Sequence, residues 1–379
     1  MTLPLPTASP AEYAASLLAF LTGDPRIEPY RSYRPPSYEA AAAHLAELQK
    51  LIFDEGWSRL GWPEQFGGRG GDPRLRAAMF ETMWRSDILI PETFTLLEVL
   101  APVLMVYSPV LAERHFPPLL RGDEIWCEGF SEPDAGSDLA SLRTQMEPDG
   151  DDWRVTGQKL WTSNGHLSQR SVLLARSGEA GHRGLTMVLV DLDQPGVEVR
   201  PIRAQSGENN FSEMFFDGAH LPGDRIIGHL GQGWEIAMYM LQWERGAYGW
   251  LQQGRLHSRL ELALRDAGAP PPGLAQALGA AYAAASSLRL RTRSTVRRLA
   301  AEEQLGAEVA IDKLLLVDAE LATWDVVRQL YGARFDLEPE LAWLRSEFMF
   351  SRAAPIYGGS QEIQRSLVAQ RVLHMARSR

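Results

Sequence analysis

One cysteine, Cys127, stands among 379 residues, so no disulfide can close within the chain, which fits a reducing compartment and the cytoplasm. Long apolar runs are missing as well. The most alanine-rich stretch, Leu274 to Leu288, is broken by Gln276, Gly279 and Ser286, which suits a buried helix and excludes a membrane span of about 20 apolar residues. The opening Met-Thr-Leu-Pro-Leu-Pro soon reaches Glu12 with no basic segment ahead of an apolar one, so no secretory signal is expected. Positive charge is in deficit, with 38 Lys and Arg against 48 Asp and Glu and a net charge of −10. That balance argues against nucleic acid as a partner, and an anionic substrate would need local basic groups. The eight histidines form neither His-Glu-x-x-His nor a paired Cys/His spacing, so no metal site is expected. A Gly-x-Ser-x-Gly elbow and a Gly-x-Gly-x-x-Gly turn after a strand are both absent, and no tandem repeat is present.

What is there is a globular composition, 45% hydrophobic, in a chain long enough for two or three packed domains. Residues 1–123 read as mostly helical, with apolar residues three and four apart in Tyr38 to Phe53, Ala77 to Trp84 and Phe94 to Val106. The glycine-rich stretch from Gly61 to Gly71 has no Lys-Ser/Thr after it and no apolar strand before it, so it reads as a turn between helices. Residues 124–230 change period. Short runs at Trp153 to Thr156, Ser171 to Ala175, Leu185 to Leu192, Val197 to Ile202 and Glu213 to Phe216, parted by Gly, Asp and Pro clusters, predict an antiparallel sheet. Residues 231–379 return to helix: Gly233 to Gln253, Leu256 to Ala267, Leu274 to Glu303, Glu308 to Tyr331, Ala342 to Ala353 and a last helix from Gln361, with a break at Glu338-Pro339. The arginines at 289, 291, 293, 297 and 298 form a basic run on one of these helices. A solvated face paired with nearby acids is the favoured reading, over a contact with cofactor phosphates.

Five stretches hold the polar and aromatic residues that a reactive site would use. In Cys127 to Asp138, Phe130 and Ser131 read as the end of a strand, Pro133, Asp134 and Gly136 force a turn, and Ser137 with Asp138 leaves donors facing outward. Then come Gly157-Gln-Lys-Leu-Trp161-Thr-Ser163-Asn-Gly165, Gly231-Gln-Gly-Trp234, Trp243-Glu244-Arg245, and Ile356-Tyr-Gly-Gly-Ser-Gln-Glu-Ile-Gln-Arg365. In this order the stretches resemble the acyl-CoA dehydrogenase family over nearly the whole chain. The resemblance implies an α+β multidomain fold with an N-terminal helical domain, a central antiparallel β domain and a C-terminal four-helix bundle. It implies FAD bound between domains and near a neighbouring subunit. Phe130 and Ser131 fall where the family holds the pyrimidine side of the flavin, Trp161 where an indole lies against it, and Ser163 where a hydroxyl bonds N5. Ser360 and Glu362 match the loop and helix start that close over the flavin. Gly136 and Ser137 match positions contacting the acyl-CoA, and Arg245 is expected to orient the CoA or its pocket. Donors near N5 and O2 stabilise the negative charge that a reduced flavin accumulates.

The departures from the family pattern matter as much. Many members carry Arg-x-x-Phe-Gly and a later Gly-Gly-x-Gly that reach the FAD of a neighbouring subunit. This chain has neither, and offers only Gln329-Leu-Tyr-Gly332 near the second position. Lys313 within a helix and the terminal Tyr-Gly-Gly-Ser look like the bacterial branch that includes two-subunit enzymes acting on bulky acyl-CoAs, so a homo- or hetero-oligomer is expected. Many members place the catalytic Glu in the loop before the last helix, where this chain has Gly358. Others use a Glu just before an Arg on the helix entering the bundle, and Glu244-Arg245 stands there. The resemblance therefore implies Glu244 as the base, with the Gly358 N–H and a flavin ribityl hydroxyl donating to the thioester oxygen. The activity implied is FAD-dependent α,β-dehydrogenation of an acyl-CoA, with electrons passed to an electron-transfer flavoprotein. An oxidase or monooxygenase of the same fold, or a non-catalytic subunit, are the alternatives. Retention of Ser137, Trp161, Ser163 and Glu244 together argues against the last.

Overall fold

Residues 3–376 are described by the computed structural model. The N-terminal part forms five helices, α1 (Pro10–Gly23), α2 (Tyr38–Asp54), α3 (Pro73–Arg85), α4 (Glu92–Tyr107) and α5 (Pro109–Arg121). Several starts follow from capping chemistry. Ser9 and Glu12 form a reciprocal capping box, the Ser37 hydroxyl accepts the Ala40 N–H, and Asp72 caps α3 with Pro73 in its first turn. The glycine-rich stretch is the expected turn, closed by an antiparallel bridge between Trp62 and Gly70.

An eight-stranded sheet follows: β1 (Trp126–Gly129), β2 (Gln145–Asp149), β3 (Asp152–Ser163), β4 (Arg170–Arg176), β5 (Leu185–Asp191), β6 (Val197–Ile202), β7 (Phe211–Leu221) and β8 (Ile226–Ile227). Its order is β6-β7-β3-β2-β4-β5-β8, with β1 beside β4. Most neighbours run antiparallel, as the short runs and tight turns lead one to expect. The sheet is mixed, however, because β1 lies parallel to β4 and β2 meets β4 parallel at Gln145. The long connection from β1 to β4, which contains the β2–β3 hairpin, has room to return the chain in the same direction. Side chains alternate between two cores. Trp126, Val172 and Leu174 pack with the N-terminal helices, while Cys127, Leu173 and Ala175 belong to a second cluster with Val155, Met214 and Phe216.

The C-terminal part contains α6 (Gly233–Trp243), a π-helical turn (Glu244–Tyr248), α7 (Gly249–Ala267), α8 (Ala275–Ala300), α9 (Ala310–Tyr331), α10 (Ala333–Leu337), α11 (Ala342–Ser351) and α12 (Gln361–Leu367), followed by a second π turn (Val368–Val372). Leu256, Leu260, Leu288, Leu316, Trp324 and Val327 form the core where α7, α8 and α9 meet. The helix break expected between Gln253 and Leu256 does not occur. Gly254 stands there because a Cβ at that position would lie 2.9 Å from Trp84 Cδ1, so the glycine marks a close approach between α7 and α3. Among the described residues no helix is long and apolar enough to cross a membrane.

Candidate active site

The loop after β1 is held in place by a buried lysine. Lys159 Nζ donates to the Phe130 carbonyl at 3.1 Å and to Glu132 Oε1 at 2.9 Å. Glu132 also accepts the backbone N–H groups of Arg143 and Thr144, and the Leu160 N–H donates to the Ser131 carbonyl at 2.9 Å. Burial pulls the Lys159 ammonium down to about 8, against the opposing pull of Glu132. Next to this lock the β3–β7 register shifts between Lys159 and Thr162. At the shift Trp161 takes a φ of +61°, a conformation costing a bulky residue about 1–3 kcal/mol. Its indole is 58% exposed. Ser163 is exposed and its hydroxyl has no partner among the described residues, while the Thr162 hydroxyl is buried and unpaired there. Phe130, Ser131, Trp161 and Ser163 are therefore gathered along one stretch where the β1 loop meets β3. Gly136 and Ser137 lie on the exposed outer part of the same loop, and a Cβ at Gly136 would meet nothing.

Glu244 opens the π turn, whose extra residue re-aims the helix side chains around it. The turn meets the 356–360 loop. Gly358 has a φ of +63°, and a Cβ placed on it would stand 2.7 Å from Glu244 Oε1 and 3.8 Å from Lys313 Nζ. The carboxylate of Glu244 thus fills the space that a side chain at 358 would take. Among the described residues the Gly358 N–H has no acceptor. Arg245 lies behind this loop, its Nη2 3.8 Å from the Cβ position of Gly359, and its Nε is buried without a partner. Ser360 caps α12, its hydroxyl accepting the Ile363 N–H at 3.4 Å, and Glu362 is exposed in the first turn.

Burial raises the Glu244 carboxyl above its usual range, while Arg245 and Lys313 pull it back down. Lys313 is 3% exposed, its Nζ makes no hydrogen bond, and it sits 3.7 Å from the centroid of the Tyr357 ring. Burial lowers this ammonium to about 8, and Glu244 and Glu320 hold it up.

Two carboxyl groups escaped the sequence reading. Glu128 shares the β1 face of Trp126, and burial together with the charge of Glu244 raises it to about 8. The signal available was a Glu between Cys127 and Gly129 in a strand whose other residues are buried. Glu92, the first residue of α4, is exposed and lines a small pocket with Ala42, Leu45 and Asn164. Beyond Lys313 a chain of ionic contacts crosses the interior. The Tyr357 hydroxyl donates to Glu320 at 3.2 Å, Arg255 pairs with Glu320 and approaches Glu347 at 3.7 Å, and Arg259 pairs with Glu347 at 2.8 Å. Arg259 also reaches toward Asp87, which pairs with Arg34 at 2.8 Å. The basic run on α8 is mostly committed to acids, with Arg289 on Glu81, Arg291 on Asp312 and Arg298 on Glu303 and Glu308. Arg293 and Arg297 are exposed.

Comparison with known proteins bears directly on this arrangement. The family profile for the acyl-CoA dehydrogenase middle domain matches residues 127–219, and that for the acyl-CoA dehydrogenase C-terminal domain matches residues 231–373. Acyl-CoA dehydrogenase IpdE1 of Mycobacterium tuberculosis (strain ATCC 25618 / H37Rv) is 39% identical over 350 residues, covering 90% of each chain. Cyclohexane-1-carbonyl-CoA dehydrogenase of Geobacter metallireducens is 27% identical over 357 residues, covering 90% of this chain and 92% of that one. The solved structure of the Tcur3481-Tcur3483 steroid ACAD superposes with a TM-score of 0.84 at 26% identity, covering 100% of both chains. A relative this similar across nine-tenths of the chain, with both profiles falling on the sheet and the helices that build the site, shows that the protein belongs to the acyl-CoA dehydrogenase family of flavoprotein oxidoreductases.

Proposed function

We propose that the protein dehydrogenates an acyl-CoA thioester between Cα and Cβ to the trans-2,3-enoyl thioester, with Glu244 as the base and FAD as the cofactor. The observation that carries this reading is the convergence of Glu244 on Gly358, where one carboxylate oxygen stands 2.7 Å from the place of a missing side chain. The residues at the end of β3 fit a flavin ring: an exposed indole at a strained bulge offers a flat apolar surface, and Ser163 offers a free hydroxyl. Phe130 and Ser131 would hold the ring's polar edge, with Ser360 and Glu362 over it. When bound, FAD supplies the acceptor for the hydride that leaves Cβ. Glu244 removes the α-proton, and its burial keeps the carboxylate basic enough for that task near neutral pH. The unpaired Gly358 N–H is free to donate to the thioester oxygen as negative charge develops there. Gly136 and Ser137 contact the acyl-CoA from the outer loop, and Arg245 stiffens the pocket wall behind Gly359. Electrons leave to a carrier such as an electron-transfer flavoprotein. Relatives named for cyclohexane-1-carbonyl-CoA and for a steroid support an acyl group that carries a ring.

Anaerobic titration of the purified protein with a panel of straight and ring-bearing acyl-CoAs tests the reading. The flavin absorbance should bleach with at least one ring-bearing member. Glu244→Gln should retain flavin and bind acyl-CoA yet reduce its flavin at least about 1,000-fold more slowly, as expected on losing a positioned base. Near wild-type reduction in this variant would remove Glu244 from its role. Rapid reoxidation of the reduced protein by oxygen would move the reading to an oxidase.

A further inference from the structure

One buried amide holds the backbone of the Gly358 loop. Gln364 on α12 is fully buried, and its Nε2 donates to the carbonyls of both Gly358 and Gly359 at 3.3 Å. A primary amide has two N–H donors, so each carbonyl receives one and the orientation of the side chain is fixed. Its Oε1 is buried and finds no donor among the described residues. A buried acceptor without a partner costs stability, so packing alone does not account for a glutamine at this position. The same amide explains the second glycine of the loop. A Cβ on Gly359, whose φ is +86°, would stand 2.5 Å from Gln364 Nε2 and 3.8 Å from Arg245 Nη2.

What this grip controls is the peptide group on the other side of Gly358. Tyr357 is anchored independently: its N–H donates to the Ala353 carbonyl at 3.1 Å, its hydroxyl donates to Glu320 at 3.2 Å and accepts from Tyr248 at 3.3 Å, and its ring lies against Lys313. Between that anchor and the Gly358 carbonyl only the two soft torsions of Gly358 remain. Glycine ranges widely over both signs of φ, so without a partner for its carbonyl the loop would be free to rotate and carry the Gly358 N–H away. With both sides tied, the N–H keeps one fixed relation to Glu244, whose Oε1 lies 2.7 Å from the Cβ place of the same glycine. Donor and base are set against each other through a side chain that is neither.

We propose that Gln364 is a positioning residue for the reaction, holding the Gly358 N–H where it meets the thioester oxygen while Glu244 takes the α-proton. The inference rests on the dehydrogenase reading above. The test follows anaerobic flavin reduction across a pH series, using an acyl-CoA that bleaches the wild type, in the wild type, Gln364→Leu and Gln364→Glu, each checked for flavin content. Gln364→Leu removes both donors together with the orphan acceptor. It should slow flavin reduction at least about 10-fold, since small misplacements of a reacting group are costly, and in the limiting rate more than in KM, since the N–H matters most as charge develops on the oxygen. Amide hydrogen exchange over 356–364 without substrate should quicken in the same variant, which reads the loop apart from catalysis. Gln364→Glu keeps the size of the side chain. Protonated, the new carboxyl has one O–H to donate; ionised, it has none and confronts two carbonyl oxygens. Burial raises such a carboxyl above the exposed range, while Arg245 and Lys313 beside the loop offset Glu244 and Glu320. Its rate relative to the wild type should therefore be highest at the acid end and fall toward that of Gln364→Leu as pH rises, a dependence that mere packing would not produce. Near wild-type reduction by Gln364→Leu would overturn the inference and leave the dehydrogenase reading standing. If Gln364→Leu holds no flavin, Gln364→Glu decides alone, and a ratio to the wild type that is constant across the series would overturn the inference. A wild type that no acyl-CoA reduces would instead remove the dehydrogenase reading, and this inference with it.

Discussion

Glu244 is flanked by charges of both signs, and which of them wins decides the pH at which it can act. Arg245 lies on its own turn, Lys313 reaches it from α9, and Glu128 faces it from β1. Burial and the negative charge of Glu244 both disfavour ionising Glu128. The two cations act on Glu244 and not on Glu128, so the negative charge settles on Glu244 while Glu128, raised to about 8, keeps the proton. Lys313 is itself lowered to about 8, so it is charged in the range where Glu244 must be ionised. Replacing Lys313 with Met removes a positive charge that lowers the Glu244 pKa. The Glu244 pKa should then rise, and the acid limb of the flavin-reduction rate should move to higher pH, with Lys313→Arg restoring part of the shift. Stopped-flow reduction across a pH series reads this directly, and a limb that stays in place or moves to lower pH would discard the electrostatic role of Lys313.

The elements show how much of the site was legible in sequence and why the rest was hidden. Helices with a strong apolar period, such as α2, α4 and α9, stand where the pattern put them because their buried faces are continuous. β3 was read only from Trp153 to Thr156, since Gly157 looks like a break. It is instead a bulge, after which the strand continues to Ser163. The π turn leaves no trace in composition, because Glu-Arg-Gly-Ala-Tyr has the same helical character as its flanks. Trp161, Ser163, Glu244 and Gly358 were singled out through motif resemblance. Glu128 was not, since its surroundings depend on Glu244, far away in sequence. The meeting of the π turn with the Gly358 loop also makes a local prediction. In Gly358→Ala the new Cβ would press against Glu244 Oε1, and the φ of +63° is unfavourable for alanine. Glu244 must shift, and small misplacements of a reacting group are costly, so flavin reduction should slow at least about 10-fold while flavin content stays unchanged. Equal rates in Gly358→Ala and the wild type would mean that the carboxylate has slack at this point.

At the scale of the whole molecule the ionic chain from Arg34 to Lys313 ties the N-terminal helices to the C-terminal ones across the cleft. Arg259, fully buried, pairs with Glu347 and lies between the rings of Trp84 on α3 and Trp343 on α11. Arg259→Met strips two carboxylates of a partner, and removing one member of such a buried pair costs about 3–5 kcal/mol. The denaturation midpoint followed by intrinsic fluorescence should fall accordingly, and an unchanged midpoint would show the pair to be dispensable. The opposite side of the C-terminal part poses a different problem. Met349, Ile356, Ile363, Leu373 and Met375 are all exposed, with Ile356 at 70% and Leu373 at 62%, although large apolar side chains gathered in one segment usually mark an interface. The same segment carries Gly358, Ser360 and Glu362, so a subunit covering it would also shield the flavin from water. The protein should therefore be a dimer or larger in solution, either with itself or with a second chain. Ile356→Lys places a charge on that surface at a side chain that is 70% exposed. Light scattering should then report a smaller particle at micromolar concentration, and absorbance at the flavin band should report faster loss of cofactor on dilution. A wild-type protein that is an active, flavin-retaining monomer at that concentration would show that the exposed segment needs no cover, and that the cleft holds its cofactor alone.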